Sequence, residues 1–140
     1  MLIVGGMSAC NKTGSQPSGR TDIINIDAGN QEMVAAIQMA KDTLPEFIQE
    51  LKKPGSRLFC VKSPYATDSG GKEHMWVKVD RYANGVFEGT LLDEPADIKA
   101  LKMGRAMKVN ERNISDWMID DGTTQRGLFT QKVLDKQANN

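Results

Sequence analysis

The sequence predicts an α+β domain: an N-terminal amphipathic helix, a mostly antiparallel sheet of three to five strands, and a short C-terminal helix. Three observations predict it. Apolar residues recur at helical spacing near the front, apolar and polar residues alternate through the middle around an Asn-Gly pair, and a second helical pattern closes the chain.

From Gln31 to Lys52 the residues Met33, Ala36, Ile37, Ala40, Leu44, Phe47, Ile48 and Leu51 fall along one helical stripe. Asn30 or Asp27 is placed to cap the start, with Glu32 in the first turn. Pro45 disfavours the helical conformation at Leu44 and brings no N–H, so two readings stand. The helix kinks there, or a second short helix begins there with Asp42 or Thr43 as its cap. Pro54-Gly55 ends the helical region.

Leu58 to Tyr65 reads as a strand, and so does Met75 to Tyr82, where Met75, Val77 and Val79 face one way and Trp76, Lys78 and Asp80 the other. Such alternation implies a sheet with one face buried. The intervening Thr67-Asp68-Ser69-Gly70-Gly71-Lys72 is rich in turn formers and reads as an exposed loop. Asn84-Gly85 suits a tight type I′ turn and pairs Met75 to Tyr82 with Phe87 to Leu92. A short helical turn is expected around Ile98 and Leu101, then strands at Ala106 to Val109 and Ile114 to Ile119. The closing helix spans Leu128 to Gln137, with Phe129, Val133 and Leu134 toward the core. The order differs from alternating βαβ units.

At 140 residues the chain fits one domain. Its 18 basic and 18 acidic residues balance, so no global field draws it to nucleic acid or to an anionic membrane face, and neither is expected as a partner. After the first few residues no stretch approaches the roughly 20 apolar residues of a membrane-spanning helix. Of the two cysteines, Cys60 lies in the apolar run Leu58-Phe59-Cys60-Val61 and reads as a buried, inert thiol.

Cys10 has another context. It follows Leu2-Ile3-Val4-Gly5-Gly6-Met7-Ser8-Ala9 and precedes the polar run from Asn11 to Gly19. This resembles a bacterial lipoprotein signal, with Met7-Ser8-Ala9-Cys10 matching the lipobox. The resemblance implies a lipid anchor on Cys10, a flexible tether after it, and a place in the cell envelope. Asn11 in place of Asp implies the periplasmic face of the outer membrane in a Gram-negative host. The front departs from the pattern, since no basic segment precedes a short apolar run. An upstream start codon, or a cytoplasmic protein beginning with a ragged tail, are the readings left beside it. The expected divisions are a signal remnant at 1–10, a tether at 11–30, one domain at 31–137 and a tail at 138–140.

The domain itself resembles the YegJ-like family of uncharacterised bacterial proteins. The resemblance rests on Ala36-Ile37 with Ala40, Thr43-Leu44 through Phe47, Glu73-His74-Met75-Trp76-Val77, Phe87-Glu88-Gly89 and Ile114-Ser115-Asp116-Trp117-Met118. Gly104-Arg105 departs from the family's usual Gly-Asp, and Gln125-Arg126-Gly127 from its pair of glycines before the threonine at Thr130. The family implies no activity.

His74 is the single histidine, which removes multi-histidine metal sites, and no CxxC spacing exists, so neither a metal nor a cofactor is expected. A catalytic reading would take His74 as a general base with Glu73 and Asp116 as carboxylates, although neighbours on a strand point to opposite faces. Asp116 reads equally as an acceptor of backbone hydrogen bonds. Trp76 and Trp117 are core aromatics or, with Arg126, a binding surface. Asp120-Asp121-Gly122 lacks the spaced ligands of a calcium loop and reads as a turn. Three functions compete. The first is a non-enzymatic binding or accessory module held at the envelope, with another envelope protein as partner, docking through a sheet face or the loop Asp68 to Glu73. The second is a small hydrolase-like enzyme using His74, Glu73 and Asp116. The third is a toxin-immunity protein.

Overall fold

The computed structural model describes residues 28–139. Residues 1–27, with Cys10 and most of the predicted tether, lie outside that range. The elements are α1 (Ala28–Leu51), β1 (Leu58–Ala66), β2 (Lys72–Ala83), β3 (Val86–Leu91), β4 (Ala106–Asn110), a 3-10 turn (Glu111–Asn113), β5 (Asp116–Asp120), β6 (Gln125–Gly127) and α2 (Phe129–Ala138). The strands form one sheet in the order β4-β3-β2-β1-β5-β6, and every neighbouring pair is antiparallel. The architecture is α+β as expected, with one strand more than the predicted range.

α1 starts at Ala28, so Asn30 is inside the first turn instead of before it, and the helix runs as one element through Pro45. Its apolar stripe lies on the sheet face formed by Phe59, Val61, Met75, Val77, Phe87 and Trp117. Phe47 is fully buried at the centre, 5.6 Å from the Phe59 ring, 5.7 Å from Phe87 and 5.6 Å from Trp117. The contacts with Phe59 and Phe87 are edge-on and add to the area each ring buries. Tertiary packing of this stripe offsets the cost of a proline inside the helix.

The predicted hairpin forms at Asn84 and Gly85, whose φ angles of 53° and 80° are those of a type I′ turn. A bulge between Val79 and Arg81 shifts the register so that Tyr82 pairs with Phe87. Opposite it stands Gly89, where an added Cβ would come 1.7 Å from the Lys78 carbonyl oxygen. The Phe87-Glu88-Gly89 motif therefore records a close backbone approach.

Ile98 and Leu101 form a turn packed on the core, with Leu101 N–H donating to the Ile98 carbonyl, in place of the expected helical turn. β5 begins at Asp116; Ile114 and Ser115 precede it, and Ser115 N–H donates to the carbonyl of Lys62 in the middle of β1 at 2.7 Å. β6 was hidden by its sequence, since Gln125-Arg126-Gly127 has no apolar alternation. Among the described residues no helix is long and apolar enough to cross a membrane.

Candidate functional site

Register places the candidate residues. Lys62 pairs with Trp76 and with Asp116, and Pro64 pairs with His74, so all five start from the sheet face away from α1. Glu73 and Trp117 start from the opposite face, as strand alternation demands. His74 and Glu73 are thus separated despite their adjacency.

Glu73 carries the segment after β3. Its oxygens accept the N–H groups of Ala96 at 2.8 Å and Asp97 at 3.2 Å. Asp68 works beside it, accepting Lys99 N–H at 2.9 Å and donating its own N–H to the Asp97 carbonyl at 2.8 Å. Ser69 binds the Asp97 carboxylate through both N–H and hydroxyl. Asp93 accepts Trp76 N–H at 2.8 Å, and Glu94 accepts Met103 N–H at 3.2 Å. A long connection without its own secondary structure has orphan donors; Glu73, Asp68 and Glu94 satisfy several of them, while Asp93 and Asp97 tie the connection back to β2 and to Ser69. The Asp68 to Glu73 loop is accordingly cross-braced to the 93–103 segment.

Asp116 is fully buried, and its carboxylate turns toward the start of α2. Oδ1 accepts Trp117 N–H at 2.9 Å and Phe129 N–H at 3.0 Å; Oδ2 accepts Thr130 N–H at 2.9 Å and the Thr130 hydroxyl at 2.5 Å. Four donors fill the acceptor sites of one carboxylate. Leu128, which would ordinarily cap α2, is left-handed at φ 57° and supplies no side-chain bond. An acid from a neighbouring strand caps the helix instead, where its charge also meets the positive end of the helix dipole.

His74 contacts Ser115, with Nδ1 3.1 Å from Oγ. Burial, with the nearby Lys62 charge, pushes His74 down to about 3, so the ring is neutral at physiological pH. Lys62 is 6 % exposed, its ammonium 5.1 Å from the Trp76 ring centre, and no carboxylate lies within ion-pair distance of it among the described residues. Its pKa is lowered by burial against the pull of Asp116 and Asp93. Trp76 is half-buried on this face. Trp117 is a core residue at 2 % exposure, its indole N–H donating to Thr43 Oγ1 at 3.0 Å. Arg126 lies on the helix side, 3.5 Å from Glu46 and 3.9 Å from Glu50. Of the residues singled out by sequence, only His74 and Trp76 share a face with their side chains uncommitted to a helix or a loop. Ser115 beside them had no signal beyond its place in the family motif Ile114 to Met118, and Lys62 had none.

The second feature is concave. A cleft of about 320 Å³ opens between α1 and the 3-10 turn, lined by Lys41, Leu44, Pro45, Ile48, Glu111 and Arg112. No group of three or more potential metal ligands exists among the described residues.

Residues 30–140 match the model of a family described as uncharacterized protein conserved in bacteria (DUF2314). The chain belongs to this family. A relative, the uncharacterized protein YegJ of Escherichia coli, is 34 % identical over 100 residues, which cover 71 % of this chain and 65 % of that protein. A putative ankyrin repeat protein of Neisseria meningitidis is 27 % identical over 126 residues, covering 83 % of this chain and 49 % of that protein. The chain thus spans about half to just under two thirds of the length of these relatives. No solved structure matches. The family motifs now have physical content: Phe47, Trp117 and Gly89 build the core and its closest backbone contact, and Asp116 holds α2.

Proposed function

We propose that this chain is a non-enzymatic binding or accessory domain of the bacterial cell envelope, tethered through a lipid on Cys10. One observation carries the reading. The two carboxylates that hydrolysis at His74 would draw on are spent on backbone donors, Glu73 on Ala96 and Asp97 and Asp116 on the start of α2. His74 is left with a buried serine and a burial-depressed pKa that makes it a poor base. The preformed cleft between α1 and the 3-10 turn gives a binding function its surface. The anchor rests on the lipobox Met7-Ser8-Ala9-Cys10.

Expression with the native upstream region in labelled palmitate tests the tether: label is expected on the wild type and lost in Cys10→Ser. An unlabelled wild type removes the anchor. Crosslinking in intact cells tests the binding role, and failure to recover any partner at near-stoichiometric yield counts against it. Turnover of a generic ester that disappears in His74→Gln would restore the hydrolase-like alternative.

A further inference from the structure

The mid-helix proline of α1 stands on the wall of the cleft. Lys41, Leu44, Pro45 and Ile48 are spaced to lie on one stripe of the helix, and this stripe forms one side. Pro45 has no N–H, so the carbonyl of Lys41, which an ordinary residue at that position would bind, has no donor one turn later. Local sequence rules tend to be broken at functional places. Here the broken rule takes the usual helical donor from the carbonyl of a residue that lines the cleft.

The opposite wall is rigid. Asn110 caps the 3-10 turn by accepting Arg112 N–H at 2.9 Å, and Glu111 N–H donates to the Gly85 carbonyl at 2.9 Å. The Tyr82 hydroxyl binds Glu111 Oε1. Lys41 Nζ spans the cleft to the Arg112 carbonyl at 2.8 Å, while the exposed Arg112 guanidinium has no partner among the described residues. Two cations against one already bonded carboxylate favour a ligand with a single negative charge. A guanidinium and a carboxylate match in planar geometry.

We propose that this cleft binds the C-terminal residue of a peptide. Its carboxylate is taken by Arg112 with Lys41, its amide N–H by the free Lys41 carbonyl, and its apolar side chain by Leu44, Pro45 and Ile48. The proposal rests on the binding-domain reading and names the class of its partner. Because both walls are formed in advance, little ordering is needed on binding.

The test is a titration of the full chain carrying Cys10→Ser, followed by amide chemical shifts, with acetyl-Ala-Ala-Leu as probe. Saturable shifts are expected at Lys41, Ile48, Glu111 and Arg112. Affinity should fall about tenfold or more when the probe is C-terminally amidated, when octanoate replaces it, and in Arg112→Ala. Pro45→Ala gives the Lys41 carbonyl an N–H, so it should raise the melting temperature and weaken binding together. No shift by about 5 mM peptide, where a millimolar Kd would be visible, overturns the proposal. So does equal binding of the amide or of octanoate, or a Pro45→Ala chain that binds as well as the wild type. A null titration beside a successful crosslinking result removes the cleft alone and leaves the binding role standing.

Discussion

Replacing Asp116 should unseat α2. Three of the four bonds to its carboxylate come from the first turn of that helix, from Phe129 N–H, Thr130 N–H and the Thr130 hydroxyl, and the acid is fully buried. An exposed helix cap is worth about 1 kcal/mol. Here Asp116→Ala would leave buried donors without acceptors, each costing about 1–3 kcal/mol, so the total should reach about 3–5 kcal/mol. Against a whole-domain stability of about 5–15 kcal/mol that is a large fraction. With a urea slope near 2 kcal/mol/M, the unfolding midpoint should fall by about 2 M. Trp117 fluorescence reports the transition, because its ring meets Phe129 edge-on at 5.5 Å. Thr130→Val, which removes the hydroxyl donor alone, should cost about 1 kcal/mol. An Asp116→Ala chain whose midpoint stays within about 0.3 M of the wild type would refute the capping argument.

Gly127 has φ 87° and lies where a Cβ would come 2.2 Å from the Trp117 carbonyl oxygen. Gly127→Ala should therefore cost at least about 2 kcal/mol, read by the same urea titration; an unchanged midpoint contradicts the close approach. His74, at about 3 in the folded chain against an ordinary 6.5, takes up a proton on unfolding in acid. Its contribution is fully present above pH 6.5 and is lost as pH falls toward 3. Stability should drop by about 1.5 kcal/mol between pH 6.5 and 5, above the range where Glu50, held near 2 by Lys53 and Arg57, begins to matter. His74→Gln should flatten that slope, and parallel profiles in the two chains would count against a neutral ring in the folded chain. Cys60 is fully buried and its thiol is pushed up to about 11 by burial, so a Cys10→Ser chain should react with a thiol reagent only in denaturant. Prompt labelling of the native chain would show the site to be open.

Where the sequence carried a period or a named turn, the fold was legible. The α1 stripe, the alternation in β2 and the Asn84-Gly85 hairpin each encode one local geometry, and each is found in place. Gln125-Arg126-Gly127 could not be read, because β6 is a three-residue edge whose pairing is set by Gly127 fitting beneath Trp117. The 93–103 segment failed for a related reason: Glu73 and Asp68 receive its backbone N–H groups from other parts of the chain, Asp93 ties it to β2 through Trp76 N–H, and such capping at a distance leaves no local pattern.

The same distinction governs the candidate site. Sequence reasoning weighed His74, Glu73 and Asp116 together because they are the residue types that hydrolysis uses, but type does not say where a carboxylate's lone pairs go. In Asp116 they go to a helix that begins thirteen residues later, with a left-handed Leu128 where its own cap should be. That missing cap was the available signal: a helix starting Gly127-Leu128-Phe129 has no side chain able to receive its first N–H groups, so an acceptor had to come from elsewhere. Pro45 gives the mirror case, a missing donor in mid-helix. There no described side chain replaces it, and the vacancy lies on the wall of a cleft. A backbone group left unpaired at Asp116's helix would cost stability with nothing to offset it, whereas the carbonyl that lacks its helical donor at Lys41 belongs to a residue that lines the cleft. This difference makes the cleft, and not the histidine, the place to look for function.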